Sequence, residues 1–117
     1  MKHTISLKLN HEFRRLYNKG KTASSPFLAV YCRKNRMQKS RLGLTTGVKL
    51  GKAVRRNRVR RRLREIYRTN EHRLAPGWDI VIVARVRSVY ARYDELERSF
   101  LALARKLELL CPAEDRT

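Results

Sequence analysis

Between Lys52 and Leu74 one stretch of chain carries two opposed demands. Eight of residues 52–64 are Lys or Arg. Yet at about 100° per residue, Val59, Leu63, Ile66, Tyr67 and Leu74 gather on one arc about 100° wide. Arg58, Arg61, Glu65 and Arg68 fall on the opposite arc, flanked by Arg62 and Arg64. This pattern predicts an amphipathic helix from Lys52 to about Leu74, ended by Pro76 and Gly77. Its apolar arc needs a surface to cover. Its guanidinium arc needs water or a polyanion.

The remaining periodicities supply that surface. Asn10 can cap a helix over 11–19, in which Phe13, Leu16 and Tyr17 share a face and Gly20 is a natural stop. Phe27 to Arg33 reads as a strand, with Leu28, Val30 and Cys32 on one side and Phe27, Ala29, Tyr31 and Arg33 on the other. Whether residues 21–33 form one bent strand or two is left open by the pattern. Arg41 to Thr46 forms another strand, and residues 47–51 read as a loop. Trp78 to Ala84 is a continuous β-branched run, as in a strand covered on both sides. A last helix runs from about Tyr93 to Leu110, with Asp94 and Glu95 at its positive end. Residues 1–9 and 112–117 are expected to be mobile around a single domain, 1–117. The order α–β–β–α–β–α predicts an α+β fold, a two-layer α/β sandwich with helices against a small mixed sheet.

Charge is distributed unevenly over this frame. Residues 1–78 hold 22 Lys and Arg against 3 acids, whereas residues 79–117 hold 7 of each. The net charge of +19 therefore belongs to the first two thirds, an electrostatic footprint for a polyanion. Arginine dominates the 52–64 segment, and its planar fork matches phosphate oxygens in pairs. That pattern favours phosphate-backbone binding over a merely solvated charged face. A membrane surface fits less well, because the basic helix lacks a bulky Trp/Phe/Leu wedge. No apolar run reaches 18 residues, and the first residues have no apolar signal region. Cys32 and Cys111 have no metal-ligand spacing and read as reduced thiols.

Catalysis by the protein itself finds little support. Metal-dependent nucleases cluster carboxylates around their ions. Here seven of ten acids lie from Asp79 onward, and Glu65 has Arg61 and Arg68 as helical neighbours. His3, His11 and His72 show no ligand spacing. No catalytic residue and no metal ligand is therefore expected in the chain. Asn57 has two readings, a cap for the helix start or an amide bonded to RNA. Gly51 either needs a positive φ or is an ordinary loop glycine. Phe13, Tyr17, Phe27 and Tyr31, with Arg14, Lys19 and Arg33 at their edges, either line a groove for single-stranded nucleic acid or pack as a core cluster. Three function classes remain: a ribonucleoprotein subunit, a ribosomal or RNA-chaperone protein, and a protein-only nuclease, the last disfavoured by the scattered acids.

Residues 44–49, LTTGVK, followed by residues 51–65, GKAVRRNRVRRRLRE, closely resemble the signature of the bacterial ribonuclease P protein subunit, with Arg56, Asn57 and Arg58 as its RNR core. The element order, the pair Phe13/Tyr17 and the strand residue Tyr31 match as well. The resemblance implies an accessory protein of a ribonucleoprotein endoribonuclease that removes the 5′ leader of precursor tRNA. The RNA subunit would hold Mg2+ and perform the hydrolysis, and the protein would broaden the substrate range. It further implies that Lys49, Lys52, Arg56, Asn57, Arg58, Arg60, Arg61, Arg64 and Arg68 face the RNA subunit. Phe13, Tyr17 and Tyr31, with Arg14 and Arg33, would form the leader groove. The partners implied are ribonuclease P RNA and precursor tRNA in a bacterial cytoplasm, with no membrane and no small-molecule cofactor. A left-handed βαβ crossover is implied too, against the general rule. Val48 stands where many relatives carry a basic residue, Arg92 where they have a Ser/Thr cap, and Tyr17 where a Phe is frequent.

Overall fold

The computed structural model describes residues 4–7 and 10–111. Among the described residues, five strands form one sheet in the order β1-β4-β5-β3-β2. They are β1 (Thr4–Ser6), β2 (Lys21–Ser24), β3 (Leu28–Lys34), β4 (Ser40–Thr46) and β5 (Trp78–Ala84). Three helices pack on it: α1 (Asn10–Lys19), α2 (Ala53–Asn70) and α3 (Tyr93–Lys106). The sheet is mixed, with β1, β4 and β5 mutually parallel and β2, β3 and β5 paired antiparallel.

Alternation along the central strand explains the layering. Ile80 and Ile82 of β5 join Leu28, Val30 and Cys32 of β3, Leu42 of β4, and the apolar arcs of α2 and α3 in the large core. Val81 points the other way, to Leu7 and Leu16, with Phe13, Tyr31 and Val83 packed around them. Helix α1 thus covers the face opposite α2 and α3, and the two-layer expectation is corrected to helices on both faces. The apolar stripe of α1 states that one side is buried but not which side of the sheet receives it.

Several boundaries differ from expectation. Residues 21–34 form two strands separated at Ser25, whose backbone N–H donates to the Leu28 carbonyl. Thr4–Ser6, expected to be mobile, pair in parallel with Ser40–Leu42. Residues 112–117 lie outside the described set. Helix α2 ends at Asn70 rather than near Leu74, and a short 3-10 turn, Glu71–Arg73, follows it. Helix α3 stops at Lys106 because a left-handed cap closes it: Glu108 has φ 60°, and the Glu108 and Leu109 N–H groups donate back to the Arg105 and Ala104 carbonyls, after which Leu110 bridges to Leu74. The 47–51 loop contains a 3-10 turn, Val48–Leu50. Gly51 has φ 110°, so the reading that it needs left-handed backbone holds.

One ion cluster binds α1 to the sheet. Arg41 on β4 donates through Nε and Nη2 to the two oxygens of Asp79 at 2.8 and 2.6 Å, and through Nη1 to Glu12 of α1. All three side chains are at most 21% exposed. The bonds to Asp79 raise the Arg41 pKa above its usual range. Removing Arg41 from this cluster leaves two partly buried carboxylates charged and without their cation. Arg41→Met is therefore expected to cost about 3 kcal/mol of stability, read as a lower urea midpoint at unchanged slope. An unchanged midpoint would show that α1 is held by its apolar contacts alone.

Cys32 and Cys111 are unlinked. Burial pushes the Cys32 thiol from its ordinary 9.0 to about 11. In the unfolded chain the thiol ionises first, so stability is expected to fall as pH rises from about 9 toward about 11, with no contribution below that window. Alkylation in the native protein at pH 8 should label Cys111 and spare Cys32. Prompt labelling of both would contradict this burial.

Candidate nucleic-acid interface

Helix α2 positions the arginines because its buried residues, Val59, Leu63, Ile66 and Tyr67, anchor the opposite side. Arg58, Arg61, Arg64 and Arg68 are all exposed. Among the described residues, Arg68 is the one of these paired with an acid: it forms an ion pair with Glu65, and those hydrogen bonds lower the Glu65 pKa below the usual carboxylate range. Lys49 lies exposed in the Val48–Leu50 turn, and Lys52 is the N-cap of α2. The first turn of α2 has no acid and no side-chain cap bond. That arrangement leaves the positive helix end crowded by cations.

The two flanks of α2 differ. On one, Arg60 Nη2 donates to Thr46 Oγ1 at 2.7 Å. Arg60 and Arg64 line a groove along the sheet edge together with Thr4, Leu7, Phe13, Leu42 and Gly43. On the other, Arg62 Nη1 donates to the Ala91 carbonyl at 3.1 Å. Arg56 is half-buried, and its Nε is buried with no partner among the described residues. Asn57 lies inside the helix and on its surface, so the capping alternative is overturned: the cap is Lys52, because the Gly51 turn starts the helix two residues later.

The aromatic cluster lies on the α1 face. Phe13 and Tyr17 have ring centroids 6.5 Å apart. Tyr17 stands edge-on to Tyr31 at 4.9 Å. Phe13 and Tyr31 are half-buried against the smaller core, whereas Tyr17 is 40% exposed. Asn10, Phe13, Arg14, Tyr17 and Thr45 line a shallow groove there. Phe13 and Tyr31 thus pack against the core while staying partly open, and Tyr17 is presented outward. Phe27 does not join them and packs against the large core instead. Arg33 is exposed on the strand face that carries Tyr31. Gly43 permits this packing, since a Cβ there would stand 2.7 Å from the Phe13 ring.

Strand β4 joins the two regions. Thr45 Oγ1 lies 3.4 Å from the Tyr17 hydroxyl on one face. The next residue, Thr46, accepts from Arg60 on the other. Sequence reasoning missed this junction and the Arg41 cluster. The alternation of β4 was the available signal for the first, and the two lone acids Glu12 and Asp79 for the second. Among the described residues, no group of three or more His, Cys, Asp or Glu is placed to hold a metal ion, and no helix is long and apolar enough to cross a membrane.

Known proteins share this fold. The family model described as Ribonuclease P matches residues 1–108. The ribonuclease P protein component of Clostridioides difficile is 38% identical over 107 residues, covering 91% of this chain and 94% of that protein. That of Alkaliphilus oremlandii is 39% identical over 110 residues, covering 94% and 96%. Among solved structures, the Thermotoga maritima RNase P protein superposes with a TM-score of 0.78 at 33% identity, covering 86% of this chain and 96% of that one. The Staphylococcus aureus RNase P protein gives a TM-score of 0.83 at 26% identity, covering 91% and 97%. The backbone fold is thus shared with solved RNase P proteins, and the chain belongs to the ribonuclease P protein component family.

Proposed function

We propose that this chain is the subunit that holds the catalytic RNA of ribonuclease P through α2 while α1 and β3 receive the single-stranded 5′ leader of precursor tRNA. The observation that carries the reading is the outer face of α2, where Arg58, Arg61 and Arg64 are exposed with no acid paired to them among the described residues. Lys49, Lys52, Arg56, Asn57, Arg60 and Arg68 extend this surface at its edges. Neutralising phosphates there releases counterions, so binding is steeply salt-dependent. The crowded positive end of α2 supports the same reading, since a phosphate nearby relieves it. Phe13, Tyr17, Tyr31, Arg14 and Arg33 form the leader site, which mature tRNA leaves empty. Substrate is thereby favoured over product, and stacking tolerates many leader sequences.

In this reading the RNA subunit holds Mg2+ and carries out phosphodiester hydrolysis. The protein lowers the repulsion between two RNAs and orients the leader, and none of its side chains acts on the scissile bond. Two reduced thiols accord with a bacterial cytoplasm. Strands β4 and β5 are parallel neighbours, so the connection through α2 is a true crossover, and we adopt for it the left hand that the family resemblance implies.

Reconstitution tests the proposal. The chain is mixed with ribonuclease P RNA and precursor tRNA at low magnesium, and cleavage at the mature 5′ end is expected only with both macromolecules. Cleavage by the protein alone, or none with both, overturns it. Arg58→Ala with Arg61→Ala should weaken RNA-subunit binding and reduce the salt slope by about 2.

Tyr17→Ala separates the leader site from the core. Because Tyr17 is the exposed ring, its loss should lower affinity for leader-bearing precursor by about 1–3 kcal/mol and leave mature tRNA binding unchanged. Equal losses for both RNAs would remove the leader groove from the account.

A further inference from the structure

Three large apolar side chains stand far more open than the other described ones: Val48 at 78%, Val54 at 77% and Tyr90 at 76%. The next, Met37 and Val86, are at 47%. The three lie on elements packed against one another, namely the Val48–Leu50 turn, the first turn of α2 and a 3-10 turn, Val86–Tyr90. Exposed Lys49, Lys52, Arg55 and Arg87 are interspersed on the same elements or at their junctions. Among the described residues, Tyr90 makes no ring contact and no side-chain hydrogen bond. Packing gives this ring no task.

Its backbone is nonetheless fixed on both sides. Ser88 is fully buried, and its Oγ donates to the Arg85 carbonyl at 2.6 Å. The Arg85 N–H donates to the Phe27 carbonyl at 2.9 Å. Beyond Tyr90, the Ala91 carbonyl accepts from Arg62 at 3.1 Å. Arg62 and Arg55 project from one flank of α2, whereas Arg60 and Arg64 project from the other, toward Thr46 and Phe13. Tyr90 is therefore on the flank of α2 away from the leader rings.

We propose that Tyr90 is a stacking platform for an unpaired base of the RNA subunit, with Lys52 and Arg55 on the adjoining phosphates. This inference rests on the RNA-subunit reading above. A π face set among cations of one sign suits a nucleobase carried between phosphates. A protein partner would favour an interface centre depleted of charge. Since the ring is 76% exposed and makes no ring contact or side-chain hydrogen bond among the described residues, its face is open to stack.

The test titrates the full chain and its Tyr90→Ala, Tyr90→Leu and Tyr90→Phe variants with ribonuclease P RNA over a range of salt. Tyr90→Ala and Tyr90→Leu should bind about tenfold more weakly, with the salt slope and melting temperature of the parent. Tyr90→Phe should bind as the parent does. The loss should be the same whether or not precursor tRNA is bound. Parental affinity in Tyr90→Ala overturns the proposal while leaving the RNA-subunit reading intact. Parental affinity in Tyr90→Leu shows plain apolar contact and also overturns it. A flattened salt slope or a lowered melting temperature means the arginines or the fold were disturbed, which counts against it as well. Concentration-dependent self-association abolished by Tyr90→Ala would assign the patch to a second copy instead. If the parent chain fails to bind the RNA, the functional reading itself falls.

Discussion

The guanidinium of Arg41 is the joint on which the smaller face of this molecule turns. The large face is held by a continuous apolar core. Among the described residues the α1 face buries Leu7, Leu16 and Val81, with Phe13, Tyr31 and Val83 partly buried around them, a much smaller apolar contact than the large core makes. A bidentate contact from Arg41 to Asp79, extended to Glu12, supplies the direction that apolar contact lacks. Asn35 Nδ2 also donates to Asp79 at 2.9 Å, so the 35–39 turn is tied to the same carboxylate. The residue after Glu12 is Phe13, and the place of the rings follows from the place of that carboxylate.

This use of acids shapes the field of the whole protein. The basic two thirds contain only Glu12, Glu65 and Glu71. Glu12 is taken up by Arg41 and Glu65 by Arg68, while Glu71 is buried at the end of α2. None of them neutralises Arg58, Arg61 or Arg64. On α3, by contrast, Asp94 pairs with Arg92 and Arg98, so that helix balances its own charge. The positive potential is thereby concentrated along α2, where long-range attraction of a polyanion has most effect.

Elements whose pattern records their surroundings were legible in the sequence. Helix α2 was readable because Val59, Leu63, Ile66 and Tyr67 recur at helical spacing among arginines, and β5 because a strand buried on both faces must be apolar throughout. Other features depend on partners distant in sequence. A three-residue strand has no period to detect, and β1 exists because the edge of β4 accepts it. The side of the sheet that α1 covers is written in β5, where Val81 alternates with Ile80 and Ile82, and not in α1. Tyr17 and Tyr31 looked equivalent as sequence, yet only Tyr17 is substantially open to solvent. Arg41 read as an ordinary strand cation, because its partners lie 29 residues before it and 38 residues after it.

Thr45 and Thr46 are neighbours whose side chains leave one strand in opposite directions, the first to a tyrosine hydroxyl and the second to a guanidinium. The partition between the ring-lined side and the arginine side is therefore a single backbone thick. Polynucleotide strands lying on the two sides would be kept apart by a spacer of constant width, whatever their sequences.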